Sequence, residues 1–222
     1  MKIISAVQEK ILQNFGTIKD SDQFYLTGGT ALAHFYLQHR QSNDLDFFTS
    51  IDDVIEPFSR QLEVYLQSKK FQCQRQRGLH SFVELVVTLD KESTLIHLAL
   101  DSSFRFEPTT TFTAYPQLKV DSLVDIASNK LLALFGRATF RDFVDVYFLV
   151  QKGKFSKQQL LDGAQRKDPG FDLYWLAVAF ERINTFADDS QEMLLLIEPI
   201  SLKELQNFFN HWRQDIAGKL KP

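Results

Sequence analysis

Strand-like runs occur only in the first half of this chain, and helical periodicity takes over after residue 121. Most of the strand-like runs are rich in aromatic and β-branched residues, and they lie at 24–27, 44–49, 71–75, 81–89 and 94–100. Five segments with apolar residues at helical spacing follow, at 121–136, 139–151, 156–167, 171–187 and 201–220. Because all the strands lie in the first half and an all-helical half follows, the pattern predicts an α+β fold with a small mixed sheet flanked by helices.

Helices are also predicted beside these strands, at 3–15, 30–39 and 53–68. Between the last strand and the first of the later helices, the chain is mostly polar, carries Pro108 and Pro116, and reads TTTFTAYPQ. Such a composition is typical of a connector. We therefore predict an α/β core over residues 1–115 and a mainly helical subdomain over 116–222 that packs against it.

Charge and cysteine content exclude several classes of function. The net charge of −3 argues against a broad electrostatic nucleic-acid binder, although a local basic groove is compatible with it. The single Cys73 excludes an intramolecular disulfide and a cysteine-based zinc site. Glu9 and Lys10 interrupt the region where a signal peptide would be apolar, and no apolar run reaches transmembrane length. We expect a cytoplasmic protein without a membrane partner.

The glycine pair after the first strand is the first candidate site. Gly28 and Gly29 follow an apolar stub, and Thr30 begins an amphipathic segment. Glycine lets the backbone approach a phosphate closely, and the free N–H groups of a helix start bind anions. The alternative is an ordinary tight turn in which Thr30 caps the helix.

Two aspartates inside the next strand are the second candidate site. Asp44 and Asp46 are two residues apart, so in a strand both carboxylates project from one face. Oxygen ligands of this kind suit Mg²⁺ or Mn²⁺. The alternative is a solvent-facing pair on an edge strand. Arg40, just upstream, could pair with these carboxylates or hold a phosphate as a bidentate donor.

Together these residues resemble a known motif. The order of Gly28-Gly29-Thr30, a helix, and then Arg40, Ser42, Asp44 and Asp46 resembles the nucleotidyltransferase superfamily, whose fold is that of DNA polymerase β. More narrowly, it resembles the AbiEii/AbiGii-type toxin family of prokaryotic toxin–antitoxin and abortive-infection systems. That family also carries a helical lysine, then an arginine–aspartate pair with another aspartate three residues on. Here these match Lys130, Arg141, Asp142 and Asp145, so the resemblance spans about residues 20–150.

The resemblance implies a metal-dependent nucleotidyltransferase that moves a nucleoside monophosphate from an NTP to an acceptor. It implies that Asp44 and Asp46 bind Mg²⁺ or Mn²⁺, and that Asp142 and Asp145 support the site. The residues that would bind the nucleotide are Gly28, Gly29, Thr30, Arg40, Ser42, Lys130 and Arg141. In that family the acceptor is thought to be RNA, notably the acceptor end of tRNA, and an antitoxin protein restrains the activity.

One position departs from the superfamily pattern. A third carboxylate is expected on the strand 94–100, but the matching residue is His97. Asp101 lies on the same strand face, about 13 Å further along at the usual strand rise. If the hairpin pairs Leu89 with Thr94, Glu84 falls opposite Ala99 and could replace the missing acid. His97 is then a metal ligand, a general base or a histidine with a structural hydrogen bond.

The helical half offers supporting residues. Lys130 either meets a triphosphate or lies on a solvated helix face. Asp142 and Asp145 are three residues apart, and they can pair with Lys130 or Arg137. The segment from Leu173 to Phe186 is apolar on more than one face and is expected to be buried.

Two other functions fit part of the sequence. One is a small-molecule nucleotidyltransferase, such as one that modifies aminoglycosides, for which acidic residues would form the pocket of a cationic substrate. The other is a catalytically degenerate domain that binds a nucleotide or a protein partner, with His97 as the mark of lost activity.

Overall fold

The strands predicted in the first half form one sheet in the computed structural model, which describes residues 2–187 and 191–220. The strands are β1 (Tyr25–Thr27), β2 (Asp44–Thr49), β3 (Gln72–Leu79), β4 (Phe82–Leu89), β5 (Glu92–Leu100), β6 (Thr110–Phe112) and β7 (Tyr115–Val120). Within the described residues they lie in the order β3-β4-β5-β2-β1-β7-β6. Strand β2 runs antiparallel to β1 and parallel to β5, so the predicted mixed sheet is confirmed.

Helices account for most of the remaining described chain. They are α1 (Ala6–Phe15), α2 (Gly28–Thr30), α3 (Ile55–Ser68), α4 (Leu123–Arg137), α5 (Phe140–Gln151), α6 (Lys157–Lys167), α7 (Leu173–Glu181) and α8 (Leu202–Leu220). The chain divides into two compact units. The first contains Met1–Phe35 and Gln41–Ser122, and the second contains Tyr36–Arg40 and Leu123–Pro222. Among the described residues, no helix is both long and apolar enough to cross a membrane.

The two faces of the sheet differ in burial. In β2, Leu45 and Phe47 are fully buried, while Asp44, Asp46 and Phe48 on the other face are half-buried. On the buried face, Phe47 stacks on Phe15 of α1 with ring centroids 3.7 Å apart. An aromatic ring buried in this way stabilises the fold by about 2–3 kcal/mol. The packing therefore commits one face of β2 to the core and leaves the carboxylates on the other.

The β4–β5 hairpin has a different register from the predicted one. Leu89 pairs with Glu92 rather than Thr94, across a two-residue turn in which Asp90 has a φ of 56°. Positive φ at the first turn position is what such a tight hairpin requires. Glu84 consequently lies opposite His97, not Ala99. Since the error is two residues, the face on which Glu84 projects is the one predicted.

The predicted connector is partly strand. Residues 110–112 and 115–120 form β6 and β7, and β7 pairs with β1 through Leu26 and Val120. Pro116 is tolerated because it sits beside the irregular part of the β6–β7 pairing, where its missing N–H breaks no regular ladder. The proposed limits of the two domains stay a prediction.

Two helical predictions need correction. The segment predicted as an α-helix over 30–39 begins at Gly28 and continues as a π-helix over Ala31–Leu37. The segment from Leu173 to Phe186 is not buried on all sides, because Tyr174, Trp175 and Val178 are exposed. Helix α7 packs against α8, where the Phe180 ring lies 5.1 Å from the Trp212 ring, and against α4.

Candidate active site

The glycine turn and the paired aspartates meet at the β1–β2 pair. Thr27, the last residue of β1, lies opposite Asp46 in the antiparallel register. Gly28 follows with a φ of 70°, and a Cβ there would overlap the Asp46 carboxylate, so a side chain is doubly disfavoured. The Thr30 hydroxyl donates to the backbone carbonyl of Asp44. The local structure thus fastens the turn to the carboxylate strand.

His97 lies between two carboxylates on the same sheet face. Its Nδ1 is 2.8 Å from Asp46 Oδ1, and its Nε2 is 3.2 Å from Glu84 Oε2. The hydrogen bond with Asp46 raises the pKa of His97, burial opposes that shift, and the charges of Asp46, Asp44 and Glu84 add to the rise. In the imidazolium form both ring nitrogens donate, so one cation satisfies two acids.

The carboxylates of this arrangement are candidate ligands for a divalent metal ion. Among the described residues, no group of three or more His, Cys, Asp and Glu side chains is placed to hold one. The donor set on β2 is the carboxylate pair Asp44 and Asp46. Mg²⁺ is commonly bound through one or two carboxylates, with waters and substrate phosphates completing its shell. The pair fits an ion that arrives with a triphosphate better than an ion held by protein alone.

Two other sequence candidates in the first unit have structural contacts. Asp101 accepts a hydrogen bond from the Tyr25 hydroxyl at 2.5 Å, and burial raises the pKa of that phenol. Ser42 is buried, and its N–H donates to the carbonyl of Ile3 at 3.1 Å. Neither contact tests a role in binding nucleotide or metal, so those roles stay predictions.

A second charged cluster lies within the second unit, around Asp145. The Arg40 guanidinium binds this carboxylate with both prongs, Nε to Oδ1 at 2.6 Å and Nη2 to Oδ2 at 2.9 Å. Lys130 Nζ is 2.7 Å from Oδ2, and His39 Nε2 is 2.8 Å from Oδ1. Lys130 therefore lies on a buried helix face and not on a solvated one.

Burial and charge compete in this cluster. Burial by itself raises the pKa of Asp145, but the charges of Arg40 and Lys130 outweigh it and hold that pKa well below its usual range. Burial lowers the pKa of His39, despite its bond to Asp145. As a neutral imidazole, His39 donates from Nε2 to the carboxylate. Two permanent cations, Arg40 and Lys130, then face this carboxylate.

Asp142 has a different partner. It accepts two hydrogen bonds from Arg137, at 2.9 and 2.8 Å, and it caps α5 through the N–H and hydroxyl of Thr139. The predicted pairing of the two aspartates with Lys130 or Arg137 is thus confirmed. The Arg141 side chain is 40% exposed, whereas that of Asp142 is buried, and the Arg141 Nε lies 3.5 Å from Oε1 of Glu192. The roles of Asp142 and Arg141 toward substrate stay predictions.

Three ionisable residues near these clusters were not predicted from the sequence: His39, Asp121 and Arg105. His39 directly precedes Arg40, and no sequence pattern distinguishes it. Asp121 accepts a hydrogen bond from Thr27 at 2.7 Å and forms an ion pair with Arg105, whose guanidinium lies 4.3 Å from the centre of the Tyr25 ring. The available signal was the strand period, which places Tyr25 and Thr27 on one face of β1, and the β1–β2 register shows that this is the face of Asp46.

Comparison with known proteins is consistent with this geometry. Residues 10–219 match the family described as the nucleotidyl transferase AbiEii toxin of type IV toxin–antitoxin systems. The uncharacterized protein aq_aa25 of Aquifex aeolicus strain VF5 is 28% identical over 218 residues, which cover 94% of this chain and 95% of that protein.

Two crystal structures from Helicobacter pylori have a similar fold, each with a TM-score of 0.60 and 18% sequence identity. One is of a protein assigned to the nucleotidyltransferases, and the match covers 97% of this chain and 96% of that one. The other is JHP933, where the match covers 96% of this chain and 90% of that one. At this identity they establish the fold, which is that of a nucleotidyltransferase.

Proposed function

Because the chain belongs to the AbiEii nucleotidyltransferase toxin family, we propose that it transfers a nucleoside monophosphate from an NTP to an RNA acceptor such as tRNA. The observation that carries this proposal is the approach of Gly28 to the Asp46 carboxylate, which joins a glycine turn to a carboxylate pair. A turn of this kind presents backbone N–H groups to phosphate, beside ligands for the cation that accompanies a triphosphate.

The reaction needs little covalent chemistry from the protein. A hydroxyl oxygen of the acceptor attacks the α-phosphorus, a new O–P bond forms, the bond to the bridging oxygen breaks, and pyrophosphate leaves. The hydroxyl proton passes to water or to a carboxylate of the pair. Mg²⁺ or Mn²⁺, when bound, neutralises phosphate charge and lowers the pKa of the hydroxyl. Asp44 and Asp46 would hold the ion, and the Gly28–Thr30 backbone would orient the triphosphate.

The cluster around Asp145 contains two cations. Arg40 and Lys130 carry two charges against one carboxylate, and their buried ion pairs hold both side chains in place. We propose, because Arg40 and Lys130 match basic positions of the family motif, that these two residues also bind the nucleotide, with Asp145 as the residue that orients them. A preorganised cation of this kind stabilises developing phosphate charge without rearrangement during the reaction.

The biological role follows from the family. A toxin of a type IV toxin–antitoxin system implies an antitoxin partner. We propose that the protein acts in the cytoplasm, where NTP and tRNA are available.

The test is transfer of label from each α-labelled NTP to total tRNA, with Mg²⁺ or Mn²⁺. The key variant is Asp44→Asn/Asp46→Asn, and Asp52→Asn is the matched control because Asp52 is an exposed aspartate just beyond β2. We expect label in RNA with the wild type and Asp52→Asn, and a loss of at least about 100-fold with the double variant. Equal labelling by the double variant would refute the metal assignment.

Parallel reactions separate the alternatives. An aminoglycoside acceptor replaces tRNA in one set, and label in that product alone would replace RNA by a small molecule as the acceptor. A second set titrates Mn²⁺ and unlabelled NTP by calorimetry. Nucleotide binding without transfer to any acceptor would identify a degenerate binding domain.

A further inference from the structure

The strand order divides the surroundings of Asp46 into two flanks. Strand β1, with the glycine turn at Gly28, lies on one side of β2. Strand β5 lies on the other side, followed by β4 and the edge strand β3. In phosphoryl transfer, the attacking and leaving oxygens are roughly in line on opposite sides of the phosphorus. If the proposed function holds and the triphosphate lies on the β1 flank, the acceptor must approach from the β5–β4–β3 flank.

A row of charged side chains crosses that flank. In the strand register Asp46 lies opposite His97, His97 opposite Glu84, and Glu84 opposite Arg77. The atoms are correspondingly close, since Arg77 Nε is 3.8 Å from Glu84 Oε1 and His97 contacts both acids. Three strand spacings of about 4.8 Å place Arg77 about 14 Å from Asp46, at the edge of the sheet.

An apolar row runs beside the charged one. This row lies two residues away from the charged row on each strand. In the same register it consists of Phe48, Ala99, Phe82 and Leu79. Leu79 is 62% exposed, and the half-buried Phe82 ring lies 5.6 Å from the His97 ring. A surface that combines an arginine with an aromatic ring is suited to single-stranded nucleic acid, because phosphates meet the cation and bases stack on the ring.

The edge strand β3, together with the residues just before it, is basic in a chain that is acidic as a whole. The segment KKFQCQRQRGLH, residues 69–80, carries Lys69, Lys70, Arg75 and Arg77 and contains no Asp or Glu. Arg75 is held by Glu56 and Glu63 on α3, whereas Arg77 has 69% of its side chain exposed. A cavity of about 550 Å³ opens beside Arg77 and is also lined by Leu79 and His80.

We propose that the β3–β4 edge binds the single-stranded end of the RNA acceptor. Arg77 contacts a backbone phosphate, and Phe82 with Leu79 contacts a base. The terminal hydroxyl then lies on the His97 side of Asp46, opposite the triphosphate. Local positive charge at this edge is how a protein of net charge −3 binds a polyanion.

Arginines and bulges also protect edge strands from pairing with other chains, and β3 has an irregularity between Arg75 and Arg77. Edge protection predicts aggregation when Arg77 is replaced. Phosphate binding predicts a change in the salt dependence of RNA affinity. The two explanations therefore differ in a measurable quantity.

The experiment measures binding of a fluorescein-labelled RNA hairpin with a single-stranded 3′ end, by anisotropy, without NTP. A blunt-ended hairpin of the same stem is the comparison RNA. The protein variants are Arg77→Glu, Leu79→Ser and, as matched control, Arg60→Glu, because Arg60 is an exposed arginine on α3 with 75% of its side chain accessible. Circular dichroism and size-exclusion chromatography verify that each variant is folded and monodisperse.

We expect Arg77→Glu to weaken binding of the single-stranded end about tenfold or more, and Leu79→Ser less. The slope of log K against log salt should fall in magnitude by about 0.7 with Arg77→Glu, as for one lost phosphate contact. Arg60→Glu should change neither quantity. Equal affinity of wild type and Arg77→Glu, no preference over the blunt hairpin, or an equal loss with Arg60→Glu would each overturn the proposal.

Failure of the proposed function gives a different result. If the wild type transfers no label but loses RNA affinity through Arg77→Glu, the nucleic-acid surface stands and the transferase assignment falls. If transfer to tRNA occurs and Arg77→Glu alters neither RNA affinity nor the KM for tRNA, the acceptor surface is wrong and the transferase stands.

Discussion

Two histidine–aspartate pairs in this protein have the same contact distance and opposite shifts of the histidine pKa. His97 and Asp46 in the first unit are joined at 2.8 Å, as are His39 and Asp145 in the second. Yet the pKa of His97 is raised and that of His39 is lowered. His39 and Asp145 are fully buried, with Arg40 and Lys130 beside them.

The difference shows that the surroundings of a pair decide its charge. At His97 the neighbours are carboxylates and part of the ring is exposed, so the protonated imidazolium form is stabilised. At His39 burial disfavours the imidazolium, and two cations already neutralise the acid. If Asp46 binds a metal ion as proposed, that ion takes the place of the proton on His97 as the cation beside Asp46. The second pair is a permanent, internally compensated cluster.

Replacing the aspartate of each pair should have its largest effect on the free energy of unfolding. Asp145→Asn leaves Arg40 and Lys130 buried without their carboxylate, and the loss of one partner from a buried pair typically costs about 3–5 kcal/mol. Asp46→Asn should cost far less, because Asp46 is partly exposed among other carboxylates. Urea unfolding of both variants measures the difference. Equal losses of unfolding free energy would mean that the buried Arg40 and Lys130 do not depend on the Asp145 carboxylate.

A smaller effect is expected on metal affinity at the first pair. His97→Asp removes a cation from Asp46 and adds the acid that the superfamily pattern contains, so the Kd for Mn²⁺ should fall about tenfold, or about 1.4 kcal/mol. His97→Asn removes the cation without adding an acid and should lie between. Isothermal titration calorimetry gives the three values. Identical affinities would show that His97 does not compete with metal.

Removing one cation from the second cluster should cost about 1 kcal/mol or less. Lys130→Met leaves Arg40 paired with Asp145, so no uncompensated charge remains from these three residues. Nucleotide affinity should nevertheless fall if Lys130 binds the triphosphate as proposed. The measurements are urea unfolding and calorimetric titration with NTP. A loss of stability as large as that of Asp145→Asn would contradict the expectation that Arg40 alone is enough to compensate the Asp145 carboxylate.

The smallest effect is the pH dependence of the two histidines. His39, with a folded pKa below 6.5, contributes a loss of stability as pH falls below that value, because only the unfolded chain takes up the proton. His97, with a raised pKa, contributes stability that is present below 6.5 and lost as pH rises through its folded pKa. NMR titration of the ring protons, assigned with His97→Gln and His39→Gln, should give a lower pKa for His39 than for His97. The reverse order would break the comparison.

The sequence predicted the local parts of the site well. Strand β2 was predicted at residues 44–49, as observed, and the shared face of Asp44 and Asp46 followed from its period. The hairpin register was wrong by two residues because the turn at Asp90 is tighter than its polar sequence indicated. The exposed rings of α7 were missed because composition does not say which side of an apolar helix has a neighbour.

What the sequence alone determined is therefore what near neighbours determine: the type of element, its period, and which face a side chain takes. The tertiary structure decided which charge meets which. Arg40 finds Asp145 across 105 residues, and His97 bridges Asp46 and Glu84 from three different strands. Such partners depend on strand order and helix packing, which bring distant segments together, and the opposite pKa shifts of His39 and His97 depend on them.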